Sequence, residues 1–224
     1  MHTLEVSVGH RVRCTVCGGV EFRAQRVLWQ ALIDEWQLSP AEAAYIDRQQ
    51  GETCASCGSN LRSIALANAL RSAFGTPHDL MSFVRSPEAT AFSVLELNTA
   101  GSLNPVLSEM PGHVFGAYPE VDMHALPFEE SSFDVVVHSD TLEHVPNPIH
   151  ALGECRRVLR RGGAVCFTVP VIVGRLSRTR AGLPKSYHGN PEEGGDDYVV
   201  QTEFGSDMWT MEWKPGFQRL GYSA

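Results

Sequence analysis

The hydrophobic positions of this chain follow two successive patterns. Between residues 25 and 75 they recur at helical spacing. In QRVLWQALIDEW, Val27, Leu28, Leu32, Ile33 and Trp36 share one side, which predicts a helix. Ser39 and Glu42 in SPAE make a capping box and Pro40 suits a first helical turn, so a second helix opens there and runs through Tyr45 and Ile46. NLRSIALANALRSAF sets Leu61, Ile64, Ala65, Leu66, Leu70 and Phe74 on one side of a third helix, and GTPHDLMSF breaks it.

From Ser93 the pattern changes to short apolar runs alternating with helices. SVLELN, HVFGAY and FDVVV read as strands. NPIHALGECRRVLRRGG reads as a helix with Asn147 as cap, Pro148 in its first turn, and a buried stripe of Ile149, Leu152, Val158 and Leu159. Arg156, Arg157, Arg160 and Arg161 suit its negative end and Gly162 stops it. AVCFTVPVIV is a further strand, and VVQTEFG and PGFQRLGYSA are candidates for the last ones. Apolar strands joined through helices imply a parallel sheet covered on both faces, with ligands bound beyond the carboxyl ends of the strands. The expected organisation is α/β: a small, mainly helical module over residues 1–80, then a sheet domain over 81–224. A long Gly/Pro-rich, lid-like loop is expected near 174–198.

Composition changes this picture little. The chain has 224 residues, 43% of them hydrophobic and 20% charged, as in an ordinary globular protein. A net charge of −8 argues against a large nucleic-acid face. No apolar run approaches the roughly 20 residues of a membrane helix. The first residues have no signal-peptide core, so a cytoplasmic location is expected.

Four of the six cysteines form two CxxC pairs, Cys14/Cys17 and Cys54/Cys57, each followed by glycine. Two intervening residues let both thiolates of a knuckle meet one tetrahedral ion, and glycine allows the turn beneath it. The 36 residues between the pairs hold the first two predicted helices, so two knuckles clamp a helical insert. A disulfide or redox pair is the competing reading. A cytoplasmic setting disfavours the first, and neither pair sits in a strand–helix unit as the second requires. Four cysteines leave no open coordination position, so the expected ion is a structural Zn2+. Cys155 and Cys166 read as core thiols.

The block DMHALPFEESSFDVVVHSDTLEHVPNPIHALGECRRVLRRGGAVCFTVP resembles the class I S-adenosylmethionine-dependent methyltransferases of the type 11-like group. The resemblance runs from Val94 to about Val173. It lies in the order acid–x–x–x–LPF, SFD with a strand, LEHV, RVLR-x-GG and a strand ending in proline. It implies a Rossmann-like, mostly parallel sheet with helices on both faces. It also implies that Glu96 and the turn Asn98, Thr99, Ala100, Gly101 and Ser102 hold the methionine end of S-adenosylmethionine. Asp122 would then accept from the adenine amine beside Met123, and His138 and Ser139 would lie near the sulfonium. The family's usual acid–x–Gly–x–Gly–x–Gly loop is altered here, with Asn98, Ala100 and Ser102 at the glycine positions. Asn tolerates positive φ, and a cofactor without phosphate does not need a nest of glycine amides. Glu120 is a weak candidate for holding the ribose. The segment after HVFGAY is too short for a helix, so the second and third strands are expected to be compressed together.

For methyl transfer the candidate catalytic side chains are His188 and Tyr187 in the lid-like loop and His144 in LEHV, a histidine being suited to taking a hydroxyl proton near neutral pH. A small-molecule acceptor, no membrane contact and a monomer or homodimer are expected. Two alternatives stand beside this: a scaffold that binds the cofactor without turnover, and an RNA methyltransferase whose zinc module holds substrate. A dehydrogenase is disfavoured because no GxGxxG follows a strand.

Overall fold

The computed structural model describes residues 13–187 and 198–210. β1 (Phe22–Ala24) pairs antiparallel with β2 (Glu52–Cys54), and this ribbon brackets α1 (Gln30–Glu35) and α2 (Pro40–Gly51). The capping box at α2 forms as the sequence predicts: the Ser39 hydroxyl accepts from Glu42 N, and Ser39 N donates to the Glu42 carboxylate at 2.7 Å. α3 (Leu61–Phe74) begins on an Asn60 side-chain cap and ends at Gly75 with φ 67. α4 (Leu80–Val84) follows.

β3 (Val94–Leu97), β4 (His113–Gly116), β5 (Phe133–Ser139) and β6 (Leu159–Thr168) form a four-stranded, wholly parallel sheet in the order β4-β3-β5-β6. Side chains alternate along each strand, which gives the sheet two apolar faces. Val94, Val135, Val137 and Cys166 meet Leu66, Leu70 and Phe74 of α3 together with Leu80 and Phe83 of α4. Leu95, Leu97, Phe133 and Val136 meet Ala151, Leu152, Cys155 and Val158 of α6 (Pro148–Val158). The Rossmann-like sheet with helices on both faces is therefore present. α3 lies within the first 80 residues, yet its packing makes it a cover of the sheet.

The short α5 (Asn104–Leu107) links β3 to β4 on the α3 side, where Val106 and Leu107 are buried. α6 links β5 to β6 on the opposite side. The chain therefore winds outward in both directions from β3 and β5, and a crevice opens where the strand order reverses. No helix lies between β4 and β5, in agreement with the compression expected there. β7 (Val171–Ile172), β8 (Arg178–Thr179) and β9 (Thr202–Gly205) make a second small sheet in the order β7-β9-β8, and Phe204 packs into the α6-side core. Of the last two predicted strands, VVQTEFG contains β9, while 215–224 lies outside the described residues. No helix among the described residues is long and apolar enough to cross a membrane.

Several predicted boundaries differ: α1 leaves Val27, Leu28 and Trp36 outside it, and the AVCFTVPVIV run divides into the end of β6 and a separate β7. α6 stops at Val158, and Arg160, Arg161 and Gly162 belong to β6, not to a helix end. Asn147 and Pro148 open the helix as expected. At the other end the strand bulges, its register against β5 shifting between Phe133 and Val135. A Cβ on Gly163 would stand 2.8 Å from the Asp134 carbonyl oxygen, so Gly163 serves close strand approach, while Gly162 takes φ 86 in open space. Arg160 pairs with Asp134 at 2.7 Å, which gives its charge a partner on β5 and no role at a helix terminus.

His138 of β5 is fully buried on the α6 side of the sheet. Its ring stacks on Phe167 with centroids 5.1 Å apart, and neither ring nitrogen has a hydrogen-bond partner among the described residues. Burial pushes its pKa down to about 3, so the ring is neutral in the folded chain. An unfolded histidine titrates near 6.5, so between these values the unfolded chain binds the extra proton. The stabilisation is complete above about pH 6.5 and is lost as pH falls toward 3, at about 1.4 kcal/mol per unit.

Two outcomes are expected. Urea unfolding of His138→Phe should lose stability less steeply than wild type between pH 6.5 and 4.5, and equal slopes would refute the buried neutral histidine. Leu70→Ala removes a wholly buried side chain between α3 and the sheet. It should lower the unfolding free energy by about 2–5 kcal/mol in the same assay.

Candidate functional site

Glu96 ends β3 fully buried, and its carboxylate is engaged inside the protein. Oε1 accepts from Ala100 N at 2.7 Å; Oε2 lies 3.0 Å from Asn104 Nδ2 and 2.7 Å from His113 Nε2. Glu96 thus shapes the turn that follows it. In that turn Asn98 has φ 55 and Gly101 φ 56, whereas Ala100 has φ −74. Only the first of the three altered glycine positions is known to need a left-handed backbone, and Asn98 supplies it while its Oδ1 accepts from Tyr118 N at 3.0 Å. Thr99, Gly101 and Ser102 are exposed at the sheet edge. Ser102 Oγ bonds Ser59 Oγ at 2.9 Å, and a Cβ on Gly101 would lie 3.4 Å from Ser63 Oγ and 4.0 Å from Ser139 Oγ. The turn after β3 therefore meets the end of β5 on one side and the second knuckle on the other.

Ser139 Oγ bonds Thr168 Oγ1 at 2.7 Å, and Asp140, with φ 49, forms an ion pair with Arg62 of α3. Asp122 and Met123 lie on the loop from β4 to β5. Met123 is buried, while the Asp122 side chain is 49% exposed and its Oδ1 accepts from His124 N at 2.8 Å. Glu120 is exposed.

His144 follows β5 on a short 3-10 turn (Leu142–His144). Its Nδ1 lies 3.2 Å from the Val199 carbonyl oxygen, its Nε2 3.7 Å from Glu143 Oε1, and its ring makes an edge contact with Tyr198. A bond to a carbonyl requires the proton on Nδ1, which orients the ring with Nε2 toward Glu143. Tyr187 bridges to Val199 and does not border the cavity described next; His188 lies outside the described residues.

A cavity of about 340 Å3 opens between the helical insert and the carboxyl edge of the sheet. The insert contributes Leu28, Trp29, Leu32 and Trp36; the edge contributes Asp140, Glu143, His144 and Pro170. Sequence reasoning missed Arg62, and it read the apolar residues of the insert only as the stripe of a helix.

Cys14, Cys17, Cys54 and Cys57 converge. All four sulfurs lie within 4.8 Å of one another, with Cys14–Cys57 at 3.7 Å and Cys17–Cys54 at 3.6 Å. A tetrahedral ion with bonds near 2.3 Å has sulfur–sulfur edges of about 3.8 Å, whereas a disulfide is about 2.05 Å. The four cysteines are free thiols set at metal-ligand spacing and could hold a metal ion. The two knuckles repeat the same turn. Gly18 and Gly58 both have φ 76, and each donates its N–H to the carbonyl of the first cysteine, at 2.7 and 2.8 Å. Burial pushes the thiols of Cys14 and Cys17 up; at Cys54 burial acts in the same direction but is outweighed by the N–H groups of Cys57 and Ser56. Cys54 does end a strand, but in an antiparallel ribbon, not in an α/β unit.

Residues 105–167 match the methyltransferase domain family. An uncharacterized methyltransferase of Mycobacterium sp. (strain KMS) is 36% identical over 111 residues, 47% of this chain and 43% of its own length. A protein of Mycolicibacterium smegmatis, described as a probable S-adenosylmethionine-dependent methyltransferase, is 38% identical over 63 residues, 26% of this chain and 24% of its own. A solved SAM-dependent methyltransferase from Aquifex aeolicus is 14% identical with a TM-score of 0.28, covering 44% of this chain and 66% of that one. The chain spans less than half the length of these two curated relatives. Over residues 105–167, then, the chain is similar to a methyltransferase domain.

Proposed function

We propose that this chain transfers a methyl group from S-adenosylmethionine to a small-molecule acceptor at the carboxyl edge of its parallel sheet. The observation that carries the reading is the reversal of strand order between β3 and β5, with the Asn98–Ser102 turn set against Ser139. The donor set suits the cofactor. Its ammonium and exocyclic amine are donors, and the edge offers the half-exposed carboxylate of Asp122 and exposed turn groups. When bound, the cofactor supplies an electrophilic methyl on a cationic sulfonium. In this reading Glu96 and Asn98 hold the turn in shape, Asp122 takes the adenine amine, and Met123 packs beside the ring. His138 acts through packing beneath the site, while Ser139 with Thr168 fixes the end of β5.

His144 is the proposed proton acceptor. The Nδ1–H bond to Val199 orients the ring with Nε2 toward Glu143, whose carboxylate would stand beside an imidazolium formed there. Tyr187 and His188 remain secondary candidates. The cysteine cluster is proposed to hold a structural Zn2+ that fixes the insert between the knuckles.

Calorimetric titration tests the cofactor site. Both S-adenosylmethionine and S-adenosylhomocysteine should bind, and Asp122→Ala should weaken both by about 10- to 100-fold, as expected for one lost charged hydrogen bond. No binding by a folded protein would sink the reading. Binding with no methyl transfer to any of a broad set of acceptors would favour the scaffold. For the cluster, metal analysis should find one Zn2+ per chain, lost in Cys54→Ser together with thermal stability. A stable, metal-free wild-type chain would refute the zinc proposal.

A further inference from the structure

We infer that His124 is a positioning residue for the cofactor: it holds one oxygen of the Asp122 carboxylate, so that the other is the one offered to the adenine amine. The inference rests on the methyltransferase reading above. Its first ground is the state of the ring. Asn147 N lies 3.2 Å from His124 Nε2, and a backbone N–H can only donate. Nε2 therefore carries no hydrogen, and the ring proton sits on Nδ1, 3.1 Å from Asp122 Oδ1. The same Oδ1 accepts from His124 N at 2.8 Å. Two donors of one residue thus converge on one carboxylate oxygen. Among the described residues, nothing bonds Oδ2.

The second ground is what holds His124 itself. His150, Glu154 and Arg157 recur at helical spacing on α6, and all three bond the loop from β4 to β5. His150 Nε2 donates to the His124 carbonyl at 3.0 Å, and the two rings stack with centroids 5.8 Å apart. Leu126 N donates to Glu154 at 3.1 Å. Arg157, paired with Glu154, donates to the carbonyls of Leu126 and Phe128 at 2.8 Å each. The loop is thus fastened to α6 through its backbone. Among the described residues, His124 is the side chain that carries this fastening to the Asp122 carboxylate.

The third ground is exposure. The Asp122 side chain is 49% exposed, and a carboxylate so placed turns freely unless something fixes it. Fixing it before the ligand arrives removes that ordering cost from binding. The gain falls only to a ligand that donates to Oδ2. An adenine amine does so; a purine with oxygen in its place would set lone pair against lone pair. His124 should therefore govern the preference for adenine, not binding at large.

The probes are S-adenosylhomocysteine and S-inosylhomocysteine, which carries oxygen in place of the adenine amine, titrated calorimetrically into the full chain. The wild type should bind the adenine form about tenfold or more tighter. In His124→Leu the adenine form should weaken by about three- to tenfold while the inosine form stays within about twofold, so that the preference shrinks. His124→Asn keeps a donor at the place of Nδ1 and should restore most of the preference. An unchanged preference in His124→Leu, or equal weakening of both ligands, would overturn the assignment. The tautomer is read on the wild-type chain by nitrogen-15 NMR at alkaline pH, the His124 signals being those absent from His124→Asn. Nδ1 should carry the proton and Nε2 none; the opposite tautomer would also overturn it. A wild type that binds both ligands equally defeats the positioning role and leaves cofactor binding intact. A folded wild type that binds neither defeats the methyltransferase reading and this inference with it.

Discussion

The burial of α3 is the constraint on which both halves of the molecule depend. One face of this helix supplies Leu66, Leu70 and Phe74 to the sheet. Its N-terminus sits directly on the second knuckle, where Asn60 caps it, and Thr15 of the first knuckle donates to the Ile64 carbonyl at 2.7 Å. α4 is tied in the same way, Leu80 and Met81 donating their amides to the carbonyls of Thr15 and Val16. Cys14, Val16 and Cys54 therefore lie in the same apolar cluster as the strand residues Val94 and Val137. The cysteine cluster is anchored to the sheet, and Arg62 of that helix reaches Asp140 at the sheet's edge.

Glu96 is a second constraint, of the opposite chemistry. A carboxylate wholly removed from water is costly unless its oxygens are satisfied. Here Ala100 N, Asn104 and His113 satisfy it, so the carboxylate ties the turn, α5 and β4 together. That cross-brace accounts for the altered glycine pattern. The turn is held by a side chain from beneath, and only Asn98 and Gly101 are seen to adopt the left-handed region. Ala100 fills a buried position where a methyl group fits without strain.

Much of the fold could be read from local pattern because apolar strands and capped helices declare themselves: Ser39–Pro40–Glu42, Asn147–Pro148 and the FDVVV strand all took their expected forms. The end of α6 did not, because a double glycine stops a helix or permits a bulge with equal ease, and only the approach of Asp134 decides between them. The four cysteines were legible because ligand spacing is local. Arg62, and the wall made by Trp29 and Leu32, were not legible, because a helix whose apolar face lines a cavity has the same sequence period as one whose face is buried. Glu96 and Asp122 were both read as acids that hold the cofactor, but their environments differ sharply: Glu96 is interior and braced, while Asp122 is half exposed. Sequence carries residue type and spacing, not that difference in solvation.

The insert is held by two kinds of attachment. Where α3 meets the sheet, the attachment is apolar and buried. Where the insert meets the segment after β7, it is polar. Arg175 reaches the Glu42 carboxylate and the carbonyls of Trp36 and Gln37, and Ser186 joins Trp36 Nε1 to Glu35. The Arg175 guanidinium holds the Glu42 carboxyl well below the usual carboxylate range. Partly exposed ion pairs are individually weak and are screened by salt, in contrast to the several kcal/mol lost when a core leucine is removed. The insert is thus tied to the segment after β7 by the interactions that break at the least cost, and α3 to the sheet by those that break only with the fold.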